Sequence, residues 1–153
     1  MEKENLKDLT NSKFAELIWE ENPQFLQVIV PNEKWHEFAK ELKENSDLSF
    51  DYMFCLTGLD QKEFIQVVYH LESTTHKHQL VVKVNTTDRE ENAKIDTVSD
   101  IWATAEFHER EVYDLMGVVF NNHPDLRRLF LEDDWVGHPH RKDYTDEKNM
   151  IIR

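Results

Sequence analysis

Between residues 8 and 20 the apolar positions Leu9, Phe14, Leu17 and Ile18 recur with a helical period, and Thr10 or Ser12 can serve as N-cap. A first helix is expected there. Phe25 to Val30 (FLQVIV), between Pro23 and Pro31, reads as a strand. Asn32 can cap a second helix, in which Trp35, Phe38, Ala39 and Leu42 fall at i, i+3, i+4 and i+7 and form one apolar face. Three runs rich in aromatic and β-branched residues follow, Phe50 to Thr57, Phe64 to Leu71 and Gln79 to Val84. Their polar connectors, Gly58 to Lys62 and Glu72 to Lys77, are short enough for antiparallel hairpins. Asn85 to Asp96 is expected to be an exposed connector. A third helix then runs from a cap at Ser99 or Asp100 to about Met116, where Gly117 can end it in a left-handed conformation.

This order predicts an α+β fold, a two-layer sandwich in which helices pack on a mostly antiparallel or mixed sheet. From Asn121 onward periodicity is lost, and Pro124, Gly137 and Pro139 mark an extended arm. The expected division is a globular domain over 1–119 and a C-terminal arm over 120–153. Sparse apolar content in the arm predicts disorder without a partner.

Composition narrows the possibilities. A chain of 153 residues suffices for one domain with a core of its own. Its net charge of −13 repels nucleic acid and anionic lipid. The charge is uneven, −12 over residues 1–119 and −1 over 120–153. No apolar run approaches the roughly 20 residues that cross a bilayer, and the N-terminal stretch does not read as a signal peptide, so a cytosolic chain is expected unless a partner holds it at a membrane. Cys55 is the single cysteine, expected as a buried small hydrophobe; one thiol supports neither a disulfide framework nor a four-thiolate cluster.

Candidate chemistry concentrates in HEREVYDLMGVVFNNHPDLRR, His108 to Arg128. On a helical wheel Ile101, Ala105, His108, Val112, Leu115 and Val119 share a sector of about 80°, which places His108 in an apolar stripe. Glu109 and Glu111 diverge, so they cannot act as a paired-acid catalyst or share a metal ion. The i, i+4 spacing favours ion pairs of Glu106 with Arg110 and of Arg110 with Asp114. Phe107 stands on the polar side, and an aromatic beside arginine is the composition of an interface centre. His123, His138 and His140 offer an alternative, a zinc or iron site in a stand-alone metal-dependent hydrolase. There is no Gly-rich phosphate loop and no nucleophile elbow.

Glu109-Arg110-Glu111-Val112-Tyr113-Asp114-Leu115-Met116-Gly117, then Phe120 and His123-Pro124-Asp125-Leu126-Arg127-Arg128, closely resembles the signature of the C-type subunit of NADH-quinone oxidoreductase, respiratory complex I. A second block, Gly137-His138-Pro139 and Arg141-Lys142-Asp143-Tyr144, is similar to the family's GHPLRKD followed by an aromatic, and Ile101-Trp102 sits where the family often carries tryptophan. The resemblance covers Ile101 to Tyr144. Asn122 replaces the family's usual glycine and tolerates positive φ next best; Phe107 replaces the more usual tryptophan, and His140 a common leucine. Because the sequence stops soon after Tyr144, a form not fused to the next, larger subunit is expected.

The resemblance implies a non-catalytic structural and assembly subunit of the peripheral arm of a proton-translocating complex that passes electrons from NADH to quinone. Its implied partners are chiefly the large quinone-site subunit, the D-type, and nearby iron–sulfur subunits. It implies no cofactor in this chain, with flavin and clusters in the partner subunits, and a place on the cytoplasmic face of the cell membrane, reached only through the complex. The residues expected to dock are Phe107, Glu109, Arg110, Glu111 and Asp114 on the helix, and His123, Arg127, Arg128, His138, Arg141 and Lys142 in the arm. Membrane-bound hydrogenases and ferredoxin- or F420-linked oxidoreductases use similar subunits and provide an alternative machine.

Overall fold

A computed structural model describes residues 3–148. The chain opens with α1 (Lys3–Asn11), a short strand β1 (Ile18–Glu20) and β2 (Leu26–Val30). A 3-10 turn (Asn32–Lys34) leads into α2 (Trp35–Glu44), and three long strands follow: β3 (Tyr52–Asp60), β4 (Ile65–Ser73) and β5 (His78–Asn85). The chain then passes through β6 (Lys94–Asp96), α3 (Ala105–Met116) and β7 (Val119–Asn121). Five strands form one mixed sheet in the order β1-β2-β5-β4-β3; β2 and β5 run parallel and the other neighbours antiparallel. This is the expected two-layer α+β sandwich.

The layer arrangement follows from strand alternation. Leu26, Val28 and Val30 of β2, Ile65, Val67, Tyr69 and Leu71 of β4, and Leu80, Val82 and Val84 of β5 are all buried on the face that the helices cover. Trp35 of α2 lies against Tyr69, with ring centroids 4.4 Å apart, and Phe38 meets Phe14 edge-on at 5.1 Å. On β3, Gly58 admits α3: a Cβ there would stand 3.0 Å from Met116 Cγ and 3.1 Å from Val112 Cγ1. Cys55, half-buried rather than buried, pairs in register with His70 on the uncovered side.

Several local expectations change. The helix expected over 8–20 is instead α1, ending at Asn11, because Thr10 Oγ1 donates back to the Leu6 carbonyl (2.9 Å) while Phe14 leaves to pack on Phe38. Ile18 and Trp19 then pair with Ile29 and Val28 as an edge strand, the state β-branched and aromatic residues favour. Gly58 to Asp60 belongs to β3 rather than to a connector. Asn32 does not cap α2; its amide donates to the carbonyls of Asn85 and Lys94. The segment 85–96, expected as an exposed connector, contains β6, which pairs in parallel with β7. The expected boundary between 119 and 120 falls inside β7.

α3 begins at Ala105, not at Ser99 or Asp100. Trp102 Nε1 donates to the Phe50 carbonyl at 2.9 Å and Thr104 Oγ1 to that of Met53 at 3.0 Å, so tertiary bonds hold 98–104 outside the helix. The buried face of α3 carries Ala105, Glu109, Val112 and Met116, flanked by Arg110 and Asp114. His108 is half-buried at its margin and Val119 is exposed. The expected stripe was thus rotated: it ranked side chains by apolarity, and two carboxylates displaced apolar side chains from the buried face.

Candidate functional site

At the end of α3 the last carbonyls have no helical donor, and negative potential gathers there. Gly117, at φ 77°, closes the helix, its N–H bonded to the Tyr113 carbonyl. The arm supplies the missing donors. Arg128 Nη1 and His138 Nδ1 each lie 3.0 Å from the Asp114 carbonyl, the His140 amide donates to Leu115 (2.9 Å), and Arg141 Nε donates to Met116 (2.7 Å). The arm therefore caps the helix it follows. Asn122, at φ 63°, occupies the left-handed turn that starts the arm, as its substitution for glycine predicted.

Asp114 is the hub of this contact. It is completely buried; Oδ1 accepts from Arg128 Nη1 at 2.8 Å, and Oδ2 accepts from the amides of Leu129 (3.1 Å), Phe130 (2.7 Å) and Leu131 (3.0 Å). Burial alone would raise its pKa, but Arg128 and the three amides outweigh it and hold the carboxyl below its ordinary value. Arg128 Nη2 reaches on to the carbonyls of Trp135 and Gly137, both at 2.9 Å. One aspartate and one arginine thereby close the loop 129–137 at both ends.

Glu109, also completely buried, accepts from Thr97 Oγ1 at 2.5 Å and from the Val98 amide at 2.8 Å, with His123 Nε2 3.7 Å away. Burial pushes its pKa up, the two hydrogen bonds only partly oppose this, and the nearby Asp100 adds to it; the carboxyl lies at about 7. His123 Nε2 donates to the Glu106 carbonyl (2.9 Å) while Nδ1 accepts from the Asp125 amide (3.0 Å), which fixes the Nε2–H tautomer.

Neither expected helix pair forms. Arg110 donates to the carbonyls of Arg127 (3.1 Å) and Arg128 (3.0 Å) and lies 5.6 Å over the Phe107 ring, while Asp114 pairs with Arg128. The i, i+4 rule compares positions on one helix, and the arm brings a better partner to each. Arg127 forms an exposed pair with Asp125 at 3.0 Å, Glu111 is half-buried, and the Lys142 side chain is exposed while its amide donates to Asp60. His123, His138 and His140 do not converge. Among the described residues no group of three or more His, Cys, Asp or Glu could hold a metal ion.

Asp60 and Arg89 were absent from the expected set. The buried Asp60 carboxylate accepts from the Lys142 and Lys62 amides, both at 2.8 Å, and from Arg89, which also reaches Asp143 at 3.0 Å. Despite burial, those bonds take Asp60 down to about 2. Nothing in the local sequence marks either residue. Phe130 and Val136, 66% and 88% exposed, were also missed, although an apolar run (LFL) in a polar arm was a usable signal.

Residues 28–149 match the family described as the 30 Kd subunit of respiratory-chain NADH dehydrogenase. The chain is 48% identical over 126 residues to the NADH-quinone oxidoreductase C/D subunit of Phocaeicola vulgatus, a match that covers 82% of this chain but only 24% of that relative. The chain thus spans about a quarter of it. Among solved structures, a trypsin-resistant fragment (1–134) of Nqo5 aligns with a TM-score of 0.68 at 32% identity, over 82% of this chain and 100% of the fragment. A chain of the membrane-bound sulfane sulfur reductase, an archaeal respiratory membrane complex, aligns with a TM-score of 0.80 at 28% identity, over 93% of this chain and 85% of its own.

Proposed function

The chain belongs to the family of the 30 Kd subunit of respiratory-chain NADH dehydrogenase, and from that premise we propose that it is a structural and assembly subunit of the peripheral arm of an NADH-quinone oxidoreductase, docked to the large D-type subunit. The observation that carries this is the union of the two family-like sequence blocks into one surface: Arg128 of the first holds Gly137 of the second, and Arg141 of the second caps α3. Buried charges build that surface, and Phe107, Phe130 and Val136 stand out from it. The relative named as a joint C/D subunit supports the D-type as the neighbour. No helix among the described residues is long and apolar enough to cross a membrane; in the proposed role the chain meets the membrane only through the complex.

In this role the chain carries no catalytic residue and no cofactor; flavin and iron–sulfur clusters reside in partner subunits, and the chain sits with the peripheral arm on the cytoplasmic face of the membrane. The expected docking residues divide by position. Glu109, Arg110, Asp114, His123, Arg128, His138 and Arg141 shape the surface from within, and Phe107, Glu111, Arg127 and Lys142 are placed to touch the partner.

The likeness to a chain of the sulfane sulfur reductase, itself an archaeal respiratory membrane complex, favours one second reading, the equivalent subunit of a different membrane-bound oxidoreductase, such as a hydrogenase-type complex. Affinity purification of the tagged full chain from mildly solubilised membranes, with mass-spectrometric identification of partners, separates the two. Recovery of the large subunit together with NADH-binding subunits is the expected result. Recovery with hydrogenase-type subunits and no NADH-binding subunit supports the second reading, and recovery with neither overturns both.

A further inference from the structure

Resting on the docking proposed above, we propose that the loop 129–137 is the contact element, an acidic, apolar-tipped finger that enters an apolar hollow rimmed by lysine or arginine on the large subunit. The inward-turned charged motif residues that frame it, Arg110, Asp114, Arg128 and Arg141, act as positioning residues.

Three observations lead there. First, three of the five motif cations are used internally, while Arg127 and Lys142 stay exposed. Arg110 donates to the carbonyls of Arg127 and Arg128, Arg128 to Asp114, Trp135 and Gly137, and Arg141 to Met116 and Arg89. Turning any of them outward would take a donor from part-buried carbonyls or from Asp114 Oδ1. Second, the loop they hold has its side chains distributed against burial. Phe130 and Val136 are largely exposed although the backbone beneath them is pinned at 129–131 and at 135 and 137. A loop fixed at both ends has lost most of its conformational freedom before any partner arrives, and apolar side chains presented in that way bind at little further entropic cost.

Third, Glu132, Asp133 and Asp134 at the tip are exposed, and none forms an ion pair among the described residues. With Arg110, Arg128 and Arg141 turned inward, the outer face of the finger is negative. A complementary surface therefore combines an apolar hollow for Phe130 and Val136 with a cationic rim. The large subunit is the occupant assigned, because the C/D relative carries both parts in one polypeptide and so keeps them at high effective concentration.

The test is titration of the full chain against the purified large subunit of the same complex, at low and high salt. Three variants are compared with wild type: Phe130→Ser/Val136→Ser, Glu132→Lys/Asp133→Lys, and Ile18→Ser on the opposite edge of the sheet as a control. The expected result is a loss of at least ~30-fold in affinity for the first variant, weaker binding with reduced salt dependence for the second, and no change for the control. Circular dichroism checks that all three fold; these are exposed positions. If wild type binds and Phe130→Ser/Val136→Ser binds equally well, the finger is not the contact and docking occurs elsewhere. Failure of the wild-type chain to bind the large subunit overturns the docking itself, and this inference with it.

Discussion

Glu109 and Asp114 sit five residues apart on one helix, both with no exposed surface, yet burial leaves one carboxyl at about 7 and the other below its ordinary value. The difference is the supply of donors. Glu109 has one hydroxyl and one amide, with Asp100 nearby; Asp114 has a guanidinium and three consecutive amides. Burial costs both of them, and only Asp114 is compensated as an anion. The helix end that fastens the arm is therefore held by a permanent charge, and the end that fastens the 97–98 segment by a carboxyl that holds its proton up to neutral pH.

Asp114→Ala breaks the comparison most severely. It strands Arg128 and three amides, and a loss of about 3–5 kcal/mol of stability is expected in urea unfolding, with the loop 129–137 becoming the first site of proteolysis. Glu109→Gln inverts the expectation. Because the folded-state carboxyl lies near 7 against an ordinary 4.5, its penalty is absent below about 4.5 and complete above about 7. Wild-type stability is thus expected to fall across that window by on the order of 3 kcal/mol relative to Glu109→Gln, measured as the difference between the two unfolding curves at each pH.

Asp60→Asn sharpens the rule at a third buried carboxylate, one rich in donors like Asp114. Its depressed pKa contributes stability that is present above about 4 and lost as pH falls through about 2. The variant is expected to be about 2 kcal/mol less stable at neutral pH and to lose less in acid. Arg127→Ala sets the baseline: the same charge types exposed to water, paired with Asp125, contribute about 0–1 kcal/mol, so its melting temperature is expected to be nearly unchanged.

The sandwich was legible because β3, β4 and β5 carry long β-rich runs and α2 keeps a regular apolar face. β1 was not, since Leu17 and Ile18 continue the helical spacing of Leu9 and Phe14, which only pairing with β2 overrules. The charged residues of the candidate site were legible as a group, but their partners were not. Spacing along α3 shows which side chains are neighbours on the helix, whereas Asp114 is satisfied by Arg128, fourteen residues on. The left-handed end at Gly117 was foreseen, and with it came bare carbonyls that needed donors; assigning the arm's arginines to them was a step open to sequence reasoning. Asp60 and Arg89 were out of reach, because their bonds to the arm depend on how the sheet places its edge.

Hydrogen exchange at the amides of Leu129, Phe130 and Leu131 in the isolated full-length chain tests most directly whether the arm is fastened to its own domain before any partner binds. Protection of all three in the wild type, lost in Asp114→Ala while β4 and β5 amides stay protected, is the predicted result. Exchange at the unprotected rate in the free wild-type chain, with protection only in the assembled complex, would contradict it.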